Sequence, residues 1–148
     1  MTIELQVQRA TATEQVPADP RFERWVRTAL ADRADAVLTI RIVDREESRQ
    51  LNARYRGKDA ATNVLSFAAE LPDEVNLPLL GDIVMCAPVV AAEAEAQGKA
   101  LEAHWAHLTI HGVLHLLGYD HQQPEQAAAM ESLEVSLLDS LGLANPYE

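Results

Sequence analysis

Three histidines that follow an apolar segment have the spacing of a metal site. Residues 111–121 read His-Gly-Val-Leu-His-Leu-Leu-Gly-Tyr-Asp-His. The apolar segment before them predicts a helix, and if it continues, His111 and His115 lie one turn apart on the same face. Gly118 can end that helix in the left-handed conformation, and the following turn can bring His121 back to the other two imidazoles. Three imidazoles around one point suit a divalent metal with its fourth position open.

The chemistry of this site is not that of the protease with the same histidine spacing. The segment matches the long zinc-protease pattern H-E-x-x-H-x-x-G-x-x-H at every position but one. Gly112 stands where that pattern has its general-base glutamate, so a peptidase of that type would lack its base. The alternative without a metal is two core histidines and one surface histidine. It would leave three imidazoles to find hydrogen-bond partners at a helix end rich in leucine, where unpaired polar groups are costly. The pattern therefore favours a metal centre with another activity.

The composition indicates one globular domain. The chain has 148 residues, 48% of them hydrophobic, which allows one sizeable core. Cys86 is the only cysteine, so no internal disulfide can form, and this favours a reducing compartment. No signal-peptide pattern and no apolar run of membrane-spanning length is present. We therefore predict a soluble cytoplasmic protein.

Charge is distributed unevenly along the chain, whose formal net charge is −11. Residues 1–58 carry ten arginines and Lys58 against nine acidic residues, which gives +2. Residues 59–148 carry only Lys99 against fourteen acidic residues, which gives −13. An acidic protein is not an obvious nucleic-acid binder, but because every arginine lies at or before Arg56, a local basic surface can exist there.

Hydrophobic periodicity predicts an α+β fold made by one domain over residues 1–148. Alternating or β-branched segments predict about four strands, and apolar stripes at helical spacing predict about five helices. The order βαβαββ followed by three helices indicates a small mixed sheet packed with helices, the central apolar one carrying the histidines. The predicted strands are 3–7, 37–43, 64–67 and 79–86, and the predicted helices begin at residues 20, 44, 87, 101 and 124.

Local signals refine three positions in this scheme. Asp19 before a proline predicts a helix N-cap. Asp44 and Glu47 have the spacing of a capping box. Gly81, inside a predicted strand, indicates a bulge or a close backbone approach.

Three segments together resemble the YbeY family of bacterial endoribonucleases. They are Leu-Asn-Ala-Arg-Tyr-Arg-Gly-Lys-Asp-Ala-Ala-Thr-Asn-Val-Leu-Ser-Phe at 51–67, Leu-Leu-Gly-Asp-Ile at 79–83, and the histidine segment at 111–121. The likeness covers about residues 37–141 and keeps the order of the family's motifs. Ala61 and Ala68 stand where the family usually has prolines, and these changes affect loop rigidity rather than a reactive group.

The resemblance implies a zinc-dependent, single-strand-specific endoribonuclease with one Zn²⁺ per chain. It implies that the protein acts with the ribosome, in maturation of the 3′ end of the small-subunit rRNA and in ribosome quality control. The family's metal ligands fall on His111, His115 and His121, and its functionally important arginine falls on Arg56. Zinc suits three imidazoles, although copper and nickel compete for the same nitrogens.

The expected chemistry is cleavage of a phosphodiester. A metal held by three neutral imidazoles keeps its charge and can polarise a phosphoryl oxygen or activate water, with His111 counted as catalytic for that reason. Arg56 offers a planar fork of donors for substrate and transition-state phosphate oxygens. Because Gly112 supplies no base, the nucleophile is either water or the adjacent ribose 2′-hydroxyl. A 2′,3′-cyclic phosphate product would exclude direct attack by water as the first step.

Other polar residues and other functions remain open at this point. Ser66 is a candidate for substrate binding and Asn63 for lining the cleft, whereas His104 and His107 are interpreted as structural. Two alternative functions compete with the nuclease. One is a metallohydrolase acting on another phosphoester, and the other is a non-catalytic ribosome-assembly factor whose metal is structural.

Overall fold

Four strands form one mixed sheet in the computed structural model, which describes residues 2–31, 35–72, 74–75, 77–120 and 122–148. The sheet order is β1-β2-β4-β3, in which β1, β2 and β4 are parallel and β3 is an antiparallel edge strand. The strands are β1 (Thr2–Ala10), β2 (Asp35–Val43), β3 (Val64–Ala68) and β4 (Leu79–Cys86). The helices are α1 (Asp19–Leu30), α2 (Arg45–Arg56), α3 (Ala87–Gln97), α4 (Leu101–Leu116) and α5 (Pro124–Ser140). The predicted α+β architecture is confirmed.

The two faces of the sheet bury different helices. Alternate residues of β2, among them Leu38 and Ile40, join the main core together with Trp105 and Ile110 of α4. The opposite face carries a smaller cluster of Val43, Leu65, Val84 and Cys86, against which Leu51 of α2 packs. The sheet is therefore covered on both sides, and α4 runs through the main core with most of its side chains buried.

The predicted N-cap of α1 is wrong, and the predicted capping box of α2 does not form although Asp44 is the N-cap residue there. Ala18, not Asp19, is the N-cap of α1, and the Asp19 carboxylate accepts a hydrogen bond from Arg9 at 2.6 Å instead. Asp44 is the N-cap residue of α2 but makes no side-chain cap, because its carboxylate accepts from Thr11 and from the Ala12 amide. Contacts with the end of β1 and with the residues that follow it therefore replace local capping.

Gly81 marks a close backbone approach, as the sequence predicts. It pairs with Ala68 across the β3–β4 ladder and has φ +138°, a conformation that L side chains rarely adopt. A Cβ atom there would overlap the Phe67 carbonyl oxygen and lie 2.9 Å from the Ala69 nitrogen. Glycine thus lets the edge strand β3 remain paired to β4 at this end.

Within the described ranges, none of the helices combines the length and the apolar composition needed to cross a membrane.

Candidate metal centre

The histidines of α4 converge near the end of that helix. His111 and His115 are one turn apart, and their rings meet edge to face with centroids 4.6 Å apart. The two Nε2 atoms lie 3.1 Å from each other. Gly118 follows with φ +99° and its amide donates to the His115 carbonyl, so the helix ends there as predicted. The structure therefore brings together two of the three predicted ligands.

The spacing of these two nitrogens fits a tetrahedral metal. Two imidazole nitrogens bound at about 2.0–2.1 Å to one tetrahedral zinc ion lie roughly 3.3 Å apart. The observed separation of 3.1 Å between His111 Nε2 and His115 Nε2 is close to that value. The third predicted ligand, His121, lies outside the described residues, and its ligation stays a prediction.

A buried carboxylate holds the other side of the His111 ring. Glu134 of α5 is 0% exposed, and its Oε1 lies 2.7 Å from His111 Nδ1. Its Oε2 lies 3.0 Å from His107 Nε2 and accepts a 2.6 Å hydrogen bond from the Tyr147 hydroxyl. Three donors thus converge on one carboxylate that has no access to solvent.

The charge of Glu134 fixes the His111 tautomer. Burial raises the pKa of this carboxyl, but hydrogen bonds from His107, His111 and Tyr147 outweigh burial and bring the pKa to about 2. An ionised carboxylate can only accept, so the proton of the neutral His111 ring resides on Nδ1. The Nε2 lone pair of His111 is then directed at His115 Nε2. This arrangement is that of a metal-binding histidine oriented by a carboxylate behind it.

A second donor set shares the same residues. Ligand atoms of His107, His111 and Glu134 lie within 4.8 Å of one another, so these three side chains can hold a metal ion. A metal ion bound there would replace hydrogen bonds that His107 and His111 donate to the Glu134 carboxylate. A metal ion bound by Nε2 of His111 and Nε2 of His115 would leave the hydrogen bonds to Glu134 in place. The geometry therefore favours Glu134 as the residue behind the ligand.

Ser66 and Arg56 connect this centre to the sheet edge. The Ser66 hydroxyl donates to the carbonyl of Gly112, the residue after His111, at 3.1 Å. The Arg56 guanidinium donates through Nη2 to the Ser66 carbonyl at 3.0 Å. A Cβ on Gly112 would lie 3.1 Å from Ile83 and 3.3 Å from Ser66 Oγ, so glycine permits this close packing of α4 on β3 and β4.

The other polar candidates have structural contacts. Asn63 donates to Glu93 at 3.0 Å, and the same carboxylate lies 3.0 Å from His104 Nε2, so this group ties α3 and α4 to the start of β3. His104 and His107 each contact a carboxylate, which agrees with their structural interpretation. Asp82 is exposed on β4, and Cys86 is buried at the end of the same strand.

Comparison with known proteins identifies the family. A family model described as Endoribonuclease YbeY matches residues 6–142 of this chain. The chain belongs to the YbeY endoribonuclease family. The resemblance predicted from residues 37–141 is thereby confirmed, and YbeY membership implies an endoribonuclease, a hydrolase acting on RNA, that takes part in rRNA maturation.

A solved structure supports the fold. The solution structure of TM1509 from Thermotoga maritima has a TM-score of 0.59 and 21% sequence identity to this chain. The match covers 93% of this chain and 92% of that one. At this identity the likeness concerns the fold of the YbeY chain described above and not its chemistry.

Sequence reasoning missed two residues of this YbeY site, Glu134 and Tyr147. The first left a usable signal. Met130, Glu134 and Leu138 are spaced by four residues and are the buried residues of α5, so an acid stood within the apolar stripe. A charged residue at such a position needs a buried partner. Tyr147 lies beyond the last helix, where no periodic pattern indicates which contacts a side chain makes.

We expect Tyr147→Phe to weaken this network without removing it. The buried Glu134 carboxylate would lose one of its three donors, at a cost of about 1.5 kcal/mol, the low end for hydrogen bonds to charged groups because the Tyr147 ring is half-exposed. Urea unfolding in the presence of a metal chelator measures this loss of stability. Tyr55→Phe, which removes a hydroxyl from another exposed ring, is the matched control. Equal stability of both variants would show that the Tyr147 hydroxyl does not stabilise Glu134.

Proposed function

We propose that this protein is a zinc-dependent, single-strand-specific endoribonuclease that acts in maturation of the 3′ end of small-subunit rRNA and in ribosome quality control. In this proposal residues 1–148 form one metallohydrolase domain in the cytoplasm. His111, His115 and His121 hold one Zn²⁺, Arg56 binds substrate phosphate, and Ser66 contacts the substrate. The observation that carries the proposal is the 3.1 Å approach of two imidazole Nε2 atoms, one on a ring fixed from behind by Glu134.

The donor set favours zinc on chemical grounds. Neutral imidazole nitrogens are borderline ligands that suit zinc, and the carboxylate behind His111 raises the basicity of the ligand nitrogen. A zinc ion bound there supplies Lewis acidity for a phosphoryl oxygen and lowers the pKa of water. Because Glu134 holds the ring proton of His111 on Nδ1, the nitrogen that would bind the zinc ion is Nε2.

The contacts of Arg56 support a role in phosphate binding over a structural ion pair. One of its N–H groups is used by the Ser66 carbonyl, which fixes the guanidinium at the β3 edge. No carboxylate lies within 4.0 Å of Arg56 among the described residues, so its remaining N–H groups can donate to phosphate oxygens.

We expect Ser66 to accept a hydrogen bond from the substrate rather than to donate one to a phosphate oxygen. The Ser66 hydroxyl donates its hydrogen to the Gly112 carbonyl. The hydroxyl oxygen can still accept a hydrogen bond from a ribose hydroxyl. This contact would orient the ribose beside the metal centre and gives the site a preference for RNA over DNA.

Metal removal and replacement of His111 test the proposed activity. We expect zinc-loaded protein to cleave a defined single-stranded RNA. Chelation and His111→Ala should each reduce the cleavage rate about a hundredfold or more, because the metal chemistry is lost. Arg56→Ala should reduce cleavage about a hundredfold, as expected for a lost group that stabilises transition-state charge. Arg24→Ala, an exposed arginine of α1, is the matched control for charge.

Two outcomes would contradict the proposal. If intact zinc-loaded protein cleaves no RNA but unfolds when zinc is removed, the metal is structural and the protein is a binding factor. If chelation and His111→Ala leave cleavage unchanged, the reaction does not use the metal. Circular dichroism of each variant separates loss of chemistry from loss of the fold.

A further inference from the structure

Two arginines and an exposed tyrosine meet the partly buried ring of Phe67 at the end of α2, on the face of the sheet opposite α4. We call this surface the aromatic platform and define it as Arg54, Tyr55, Arg56 and Phe67. Tyr55 is 53% exposed, and its ring meets Phe67 at a centroid distance of 5.2 Å and an interplanar angle of 65°. The Arg54 Cζ lies 5.2 Å from the Tyr55 centroid, and the Arg56 Cζ lies 6.0 Å from the Phe67 centroid.

The arginines of the aromatic platform differ from most others in the protein. Five arginines elsewhere are paired with carboxylates within 4.0 Å, namely Arg9, Arg21, Arg27, Arg41 and Arg49. In the part of the chain that the structure describes, Arg54 and Arg56 have no such partner. The end of α2 therefore carries uncompensated positive charge in a protein of net charge −11. An anionic partner is attracted to this place by local charge rather than by the whole molecule.

The aromatic platform and the metal centre lie on opposite faces of the sheet and are joined across its edge strand β3, because Phe67 packs with the α2-side cluster while Ser66 contacts α4. Arg56 contacts both Phe67, through its guanidinium, and the Ser66 carbonyl. Ser66 in turn donates to the carbonyl of Gly112, next to His111. A flexible strand that passes over the β3 edge can therefore contact the aromatic platform and the metal centre together.

Packing alone does not explain a tyrosine at position 55. An aliphatic side chain would cover Phe67 equally well, whereas an exposed large aromatic between two unpaired arginines is the combination that binds single-stranded nucleic acid. Stacking uses the face of a base and tolerates any sequence. A duplex has no unstacked base to offer, so the same ring would discriminate against double-stranded RNA.

We propose that Tyr55 stacks on an unpaired base of single-stranded RNA while Arg54 and Arg56 bind the adjoining phosphates. This inference rests on the proposed nuclease function and adds to it a base-binding subsite outside the metal centre. Phe67 packs against the Tyr55 ring, which remains 53% exposed and so can be reached by a base.

Binding of short RNAs to zinc-loaded protein tests the aromatic platform. The probe is a labelled single-stranded RNA decamer with 2′-O-methyl riboses, measured by fluorescence anisotropy. We expect Tyr55→Leu to weaken binding about tenfold, from the usual contribution of one base–aromatic stack, and Tyr55→Phe to stay within about twofold because it keeps the ring. An otherwise identical decamer with abasic positions should bind wild type and Tyr55→Leu equally.

The arginines provide a second, independent measurement. Arg54→Ala should reduce the slope of log affinity against log salt by about 0.7, the value for one phosphate contact to a single strand, whereas Arg24→Ala should leave it unchanged. Thermal melting of Tyr55→Leu checks that leucine still covers Phe67.

The outcomes separate the aromatic platform from the nuclease itself. If Tyr55→Leu binds the base-containing decamer as wild type does, the stacking proposal is wrong while cleavage stands. If Tyr55→Leu weakens binding of the abasic decamer as much as binding of the base-containing one, Tyr55 does not act through a base, and the proposal is also wrong. If wild type neither binds nor cleaves RNA, both the function and the subsite are overturned.

Discussion

Glu134→Gln is expected to lower zinc affinity about ten- to a hundredfold, the usual effect of losing a group that orients a metal ligand. Glutamine has nearly the same shape as glutamate, but its amide nitrogen is a donor. It would face donors from His107, His111 or Tyr147 at distances of 2.6–3.0 Å. Its single carbonyl oxygen can face either His111 or the His107–Tyr147 side, and in both orientations His111 loses the negatively charged acceptor that holds its proton on Nδ1.

The same change should also destabilise the protein without metal. At least one buried donor would be left without an acceptor, which costs about 1–3 kcal/mol of unfolding free energy. Competition with a chromophoric chelator measures zinc affinity, and urea unfolding in the presence of excess chelator measures stability separately. Glu131→Gln, at an exposed position of the same helix, is the control and should change neither quantity.

Single replacements of the neighbouring histidines decide between the two donor sets. If Glu134 acts from behind, His115→Ala should remove nearly all zinc binding and His107→Ala should reduce it only modestly. The reverse order, with His115→Ala unchanged, would assign the metal to His107, His111 and Glu134. An unchanged affinity in Glu134→Gln would contradict both arrangements.

Gly81→Ala is expected to destabilise the protein by about 3 kcal/mol, the upper range for one strained backbone position. The added Cβ would meet the backbone of Phe67 and Ala69, which cannot rotate away as a side chain can. For a chain of this length, such a loss lowers the melting temperature by roughly 6–12 °C. The strain falls on the β3–β4 ladder, so RNA affinity should fall as well, because Arg56 is anchored on β3.

Gly98→Ala is the matched control for this prediction. Gly98 also has a positive φ, +66°, but a Cβ there would meet nothing within 4 Å. It therefore carries only the conformational cost of about 1 kcal/mol and leaves the sheet edge intact. Thermal melting and RNA anisotropy on both variants would contradict the prediction if Gly81→Ala behaved like Gly98→Ala.

Much of the fold follows from patterns within short segments. The alternation in β1, the β-branched residues of β2 and Gly118 after α4 predicted element types and one helix end, because burial and backbone conformation there are decided locally. The strand order did not follow, since pairing of β2 with β4 depends on contacts distant in sequence. The caps at Asp19 and Asp44 failed for the same reason, because Arg9 and Thr11 compete for those carboxylates.

The candidate site divides in the same way. The spacing of His111 and His115 on one helix face is a local property and was predicted. The role of Glu134 depends on how α5 packs against α4, and that of Tyr147 on where the chain passes after α5. The contact of Arg56 with Ser66 joins α2 to β3 and likewise needs the assembled fold.

The contact of Arg56, at the end of α2, with the edge strand β3 has a consequence for self-association. An edge strand exposes backbone groups that can pair with the same strand of another molecule, and charged side chains are a common defence. The Arg56 guanidinium already occupies the outward carbonyl of Ser66, so an intruding strand would have to break that hydrogen bond and approach a cation. The arginine proposed to bind phosphate therefore also protects the β3 edge of the sheet from intermolecular β-pairing.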